Sequence, residues 1–174
     1  STGRVGQLVV QRALDRGYNV RALARDASKL AALKSSRLVV LKGGVLDENA
    51  VSELISGVDV VLSCLGSKPK EPEIVASGTK VVVDAIRKQP IQPRLVYLSS
   101  IGIGDSHDQL LAHGVLGLKG RMFAKVIIPL FIGKQVFVDL EEGEEVVRKS
   151  GVVAVIVRPT FYVTKKSRGY MVKS

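Results

Sequence analysis

The chain of 174 residues contains no tryptophan, one cysteine and two histidines, and aromatic side chains make up only 5% of it. A single Cys64 cannot form an internal disulfide, so the fold depends on its core, and the thiol suits a reducing compartment. His107 and His113 stand apart from any Cys or carboxylate cluster at ligand spacing, so zinc is not expected and no metal site is assigned. Serine hydrolysis through a G-x-S-x-G elbow is excluded, because no such elbow occurs. The longest candidate membrane span, Val126 to Ile132, is too short for a bilayer and contains Pro129, so no transmembrane segment is expected. Acid is scarce: 16 Asp plus Glu stand against 26 Lys plus Arg, a net charge of +10. Such a surplus suits nucleic acid, an anionic membrane surface or a polyanionic small ligand. The basic residues are scattered singly and no nucleic-acid motif accompanies them, which argues against nucleic acid and leaves peripheral membrane contact open.

What is abundant is apolar material. Hydrophobic residues are 46% of the chain and mean hydropathy is +0.22, enough to bury a core within a single domain over residues 1–174. β-branched runs alternate with helix-period segments, the pattern of a parallel sheet with helices on both faces. Strands are expected at Asn19 to Ala24, Leu38 to Leu41, Val58 to Leu65, Leu95 to Ser99 and Val152 to Val157, all five buried. Helices are expected over Val5 to Arg16, stopped by Gly17; from the Asp47 cap to Ser56, closed by Gly57; over Pro72 to Lys88; and over Glu141 to Lys149. The run Glu141, Glu142, Glu144 and Glu145 reads as a solvated face. Leu110 to Gly133, apolar and basic with internal glycines, reads as an amphipathic helix on the sheet edge, with a lid or docking surface as the alternative.

The chemistry begins at the first residue. Ser1-Thr2-Gly3-Arg4-Val5-Gly6, with a glycine inferred before it, makes a G-x-x-G-x-x-G turn entering the first helix. Such a turn needs one residue at φ > 0 and another that lets backbone amides approach a pyrophosphate, while the helix end adds positive charge. A Rossmann sheet has its first strand at the centre, feeding this loop; about one strand of sequence is therefore expected ahead of Ser1. The strand Arg21-Ala22-Leu23-Ala24 ends at Arg25, where an NAD enzyme usually places an acid for the ribose 2′-hydroxyl. A guanidinium there matches a 2′-phosphate, and Lys29 adds a second cation, so the expected cofactor is NADP(H). Leu65-Gly66-Ser67 closes one strand near the cofactor ribose, and Ser99 and Ser100 sit at the carboxyl edge where open α/β folds bind ligands.

These segments, with Arg25-Asp26-Ala27-Ser28-Lys29-Leu30, Ser77-Gly78-Thr79, Ser99-Ser100-Ile101-Gly102, Ser150-Gly151 and Val157-Arg158-Pro159-Thr160, resemble the NmrA-like atypical short-chain dehydrogenases. The pattern is similar to that of the biliverdin reductase B and flavin reductase group. The resemblance spans nearly the whole chain. It implies a doubly wound, three-layer α/β/α Rossmann fold binding NADPH. In it Thr2, Arg4 and Val5 lie at the phosphates, Arg25 and Lys29 at the 2′-phosphate, Ser99 and Ser100 facing the nicotinamide, and Pro159, Thr160 and Phe161 on its other side. Three departures stand out. No Tyr-x-x-x-Lys pair stands between Ser100 and the end of the last strand, Gly43-Gly44 stands where relatives commonly have Gly-Asp, and Leu140 stands where they often carry Lys or His.

The expectation is an NADPH-dependent reductase passing hydride to a small conjugated acceptor such as a flavin, quinone or tetrapyrrole, with Ser99 and Ser100 as the candidate catalytic groups. The alternative is a non-catalytic NADP-binding scaffold, assembly or redox-sensing protein docking a partner through residues 110–137. The cytoplasm is the default compartment and an organelle remains open.

Overall fold

A computed structural model of the chain describes residues 1–66, 73–100, 103 and 134–159. Helix α1 (Arg4–Asp15) buries Val10 and Leu14, four residues apart on one face. Gly17 stops it at φ +84, and the Gly17 and Tyr18 amides donate to the Leu14 and Ala13 carbonyls at 2.9 and 3.1 Å. This is a Schellman closure, which needs a residue tolerant of the left-handed region. Strands β1 (Val20–Ala24) and β2 (Leu38–Lys42) pair in parallel, Val20 opposite Leu38 through Ala24 opposite Lys42. Val10 and Leu14 pack with Ala22, Ala24 and Leu30 to make one core beneath α1.

A second core lies under α2 (Glu48–Ile55), α3 (Ile74–Arg87) and α4 (Lys134–Lys149). These helices cover one face of three parallel strands, β3 (Val60–Ser63), β4 (Arg94–Leu98) and β5 (Ala154–Val157). Asp47 caps α2 as expected, its Oδ1 accepting from the Ala50 amide at 3.0 Å. The cap of α3 comes from a distance: Asp139 of α4, fully buried, accepts from the Val75 and Ala76 amides at 3.1 and 2.8 Å. Two helix-interior glycines mark close approaches. A Cβ at Gly78 of α3 would lie 2.6 Å from Val45, and one at Gly143 of α4 would run into the Tyr97 hydroxyl.

Several expectations are corrected. The strands are not buried on both sides: Leu95 and Tyr97 are 0% exposed, yet Leu62 is 51% and Val155 50% exposed. The reason is alternation. Successive residues face opposite ways, and α2, α3 and α4 all lie on the face of Leu95 and Tyr97. The expected parallel pairing is observed, in two sheets, β1-β2 and β3-β4-β5, and no described residue supplies a pairing between β1 and β3. Helix α4 begins at Lys134 rather than Glu141, because Asp139 and Gly143 serve packing that periodicity does not reveal. Within the expected solvated glutamate run, Glu144 is buried. The segment Leu110 to Gly133 lies outside the described residues.

Candidate functional site

The amino end of α1 meets the carboxyl ends of β1 and β3 at Ser1. Its backbone nitrogen donates to the Leu23 carbonyl at 2.7 Å. Cys64 beyond β3 and Arg25 beyond β1 share the neighbourhood of Ser1. Cys64 is half-buried, and burial raises its pKa. It is a poor nucleophile there.

The loop residues Thr2, Gly3, Arg4, Val5 and Gly6 wrap this helix end. Gly3 is the N-cap at φ −72 and ψ 164, without a side-chain cap, and no acid lies in the first turn. A Cβ on Gly3 would meet nothing within 4 Å, so the space beside it is open. Gly6 is different. A Cβ there would sit 2.6 Å from the Ser1 carbonyl oxygen, so the helix packs directly on the entering backbone. Among the described residues the positive-φ glycines are Gly17, Gly57 and Gly151, so Gly3 and Gly6 are not in the left-handed region. Extended backbone at Gly3 already delivers the chain into the helix. Gln7, which the sequence did not single out, braces the turn by donating from Nε2 to the Thr2 carbonyl at 3.0 Å.

Arg25 is exposed at the end of β1 and Lys29 is exposed on the 3-10 turn Ala27–Leu30. The intervening Asp26 is engaged with Ser28, accepting from its hydroxyl at 2.6 Å and its amide at 3.1 Å, bonds that hold its pKa below the usual value. Gly43 is a packing residue, its Cβ position 2.7 Å from that of Ala50, whereas a Cβ on Gly44 would meet nothing.

At the other strand ends, Leu65 packs against the core and Gly66 is exposed. Ser99 is 4% exposed on the helix-covered face, its hydroxyl without a hydrogen-bond partner, and Ser100 is half-buried. Pro159 is half-buried after β5; Ser67, Thr160 and Phe161 lie outside the described residues. Sequence reasoning missed Glu144. Its carboxylate accepts from Arg158 Nε at 2.9 Å and from Arg158 Nη2, with Arg148 3.7 Å away. Burial pushes its pKa up, but Arg158, the nearby Ser99 hydroxyl and the Arg148 charge outweigh it and hold the group below the carboxylate norm. Tyr97 is not a ready acid. Burial above all raises it to about 12, against an opposing pull from the Thr79 hydroxyl that exceeds the push from either the Glu144 or the Asp139 charge.

The residues present fit a dinucleotide. An uncapped, acid-free helix end beside open space accepts a diphosphate, and a strand-end guanidinium suits a further phosphate. Among the described residues no metal-ligating cluster occurs and no helix is long and apolar enough to cross a membrane.

Known proteins agree with this geometry. The model of a family described as NAD(P)H-binding matches residues 1–174. Photosystem II assembly factor Ycf39 of Cyanophora paradoxa is 29% identical over 96 residues, 53% of this chain and 30% of that protein. Among solved structures, the anaerobillin reductase ChuY of Escherichia coli O157:H7 superposes with a TM-score of 0.64 at 20% identity, over 89% of this chain and 66% of that one. The NADPH-dependent quinone oxidoreductase QOR2 of Escherichia coli, solved with NADPH, gives 0.59 at 21% identity, over 92% and 47%. The match to Ycf39 spans less than a third of that relative's length.

Proposed function

The chain belongs to the NAD(P)H-binding family, and from that premise we propose that it is an NADPH-dependent reductase of a small conjugated acceptor. The observation that carries the reading is Arg25, exposed at the end of β1 and sharing the Ser1 neighbourhood with the acid-free amino end of α1. Amides of residues 3–6 bind the diphosphate; Arg25 and Lys29 select the 2′-phosphate. The bound cofactor supplies hydride. Ser100 just past β4 and Pro159 just past β5 flank the position of the nicotinamide. The acceptor class follows the activities of ChuY and QOR2. With the Tyr97 pKa raised to about 12 and no Tyr-x-x-x-Lys pair between Ser100 and Pro159, the proton comes from solvent or from the acceptor itself, and the protein chiefly orients the two reactants.

A second reading is favoured by the same absence of a proton donor and by the resemblance to an assembly factor: a cofactor-binding scaffold that docks a partner through residues 110–137. One experiment separates them. The protein is mixed with NADPH and a panel of flavins, quinones and biliverdins, and absorbance is followed at the nicotinamide band. Oxidation with one acceptor supports the reductase. Binding without oxidation across the panel supports the scaffold.

A further inference from the structure

Glu144 is buried while its neighbours Glu141, Glu142 and Glu145 face solvent. A carboxylate taken out of water is costly and persists only with close partners. Here Arg158 supplies two parallel N–H bonds to the two carboxylate oxygens, and Arg148 adds charge at 3.7 Å. Such a buried pair is a weak source of stability, because apolar side chains of similar volume do as well. Its distinctive contribution is geometric, since the planar fork fixes one side chain relative to the other.

What the fork fixes is the point where two strands part. At the ends of β4 and β5 the Ser99 amide donates to the Val157 carbonyl at 2.8 Å. Arg158 follows Val157 immediately and leads to Pro159; Ser99 leads to Ser100. Glu144 on α4 is bonded to Arg158 and lies close enough to the orphaned Ser99 hydroxyl for that hydroxyl to favour its charge. One side chain thus binds the chain leaving β5 and lies beside the end of β4.

We propose that Glu144 is a positioning residue that sets the spacing of the β4 and β5 ends, and through it the nicotinamide side of the site; this rests on the cofactor reading above. Glu144→Gln keeps the shape and removes the charge. It weakens NADPH binding about tenfold and leaves adenosine 2′,5′-bisphosphate, which has no nicotinamide, unchanged. Arg158→Lys does the same, because one amine cannot make two parallel bonds, and the double variant is no worse than either single one. Amide hydrogen exchange then speeds up at residues 99–100 and 157–158 and stays unchanged over Val20–Ala24. Equal weakening of both ligands, no weakening of either, or faster exchange throughout the chain would overturn the proposal. Wild-type protein that binds neither ligand would instead reject the cofactor reading, and the exchange pattern would still judge the joint.

Discussion

The two faces of the sheet β3-β4-β5 are built from the same strands and differ sharply in cover. On one, Leu95, Tyr97, Val61 and Ile156 meet α2, α3 and α4. On the other, Val60, Leu62, Val153, Val155 and Val157 are exposed, and an apolar cavity of about 370 Å³ runs between Leu62 and the Leu8, Val9 and Ala13 side of α1. Both faces are apolar, so the strand pattern announces two-sided burial. The helices decide which face receives it.

That contrast is broken or sharpened by substitution. Leu95→Ala on the covered face should cost about 3 kcal/mol, and Val155→Ala on the open face less than about 1, read from urea unfolding midpoints. Similar losses would mean that both faces are packed. A subtler probe of the covered face is Gly143→Ala, which places a methyl against the Tyr97 hydroxyl. Helix propensity favours alanine by about 1 kcal/mol, yet overpacking should leave a net loss of about 1–2 kcal/mol. Tyr97→Phe in that background should recover part of it; a stabilised single variant would contradict the close approach.

Proton linkage gives the smallest effects. Tyr97 has its folded pKa raised from 10.0 to about 12. The neutral form is therefore favoured by folding, and its contribution is complete below pH 10.0 and lost as pH rises toward 12. Tyr97→Phe should remove that alkaline decline. Glu144 runs the opposite way: its folded pKa lies below the ordinary 4.5, so its contribution is present above that value and lost as pH falls through the folded one. Glu144→Gln should flatten the acid limb of unfolding midpoint against pH.

The sequence exposed whatever repeats locally. Alternating β-branched runs located all five strands, Asp47 and Gly17 marked a helix start and a helix stop, and the loop at residues 1–6 with Arg25 named the neighbourhood that Ser1 brings together. Long-range pairings stayed hidden. Asp139 capping a helix more than sixty residues away, Glu144 holding Arg158, and Gly143 yielding to Tyr97 each join segments whose spacing in the chain carries no period. Glu144 in particular sits among glutamates of identical chemistry, and only packing tells it from them. The burial of Ser99 was hidden for the same reason: a Ser-Ser pair at a strand end does not say which hydroxyl turns toward the helices.

The central claim is that a guanidinium after β1 and the amino end of α1 bind one dinucleotide phosphorylated at its 2′ position. Titrating NADPH and NADH into the wild-type protein and into Arg25→Asp tests it directly. The account predicts tighter NADPH binding by the wild type and a loss of about 1.5–3 kcal/mol for NADPH in the variant, with NADH affinity nearly unchanged. Equal losses for the two cofactors, or a wild type indifferent to the 2′-phosphate, would contradict it.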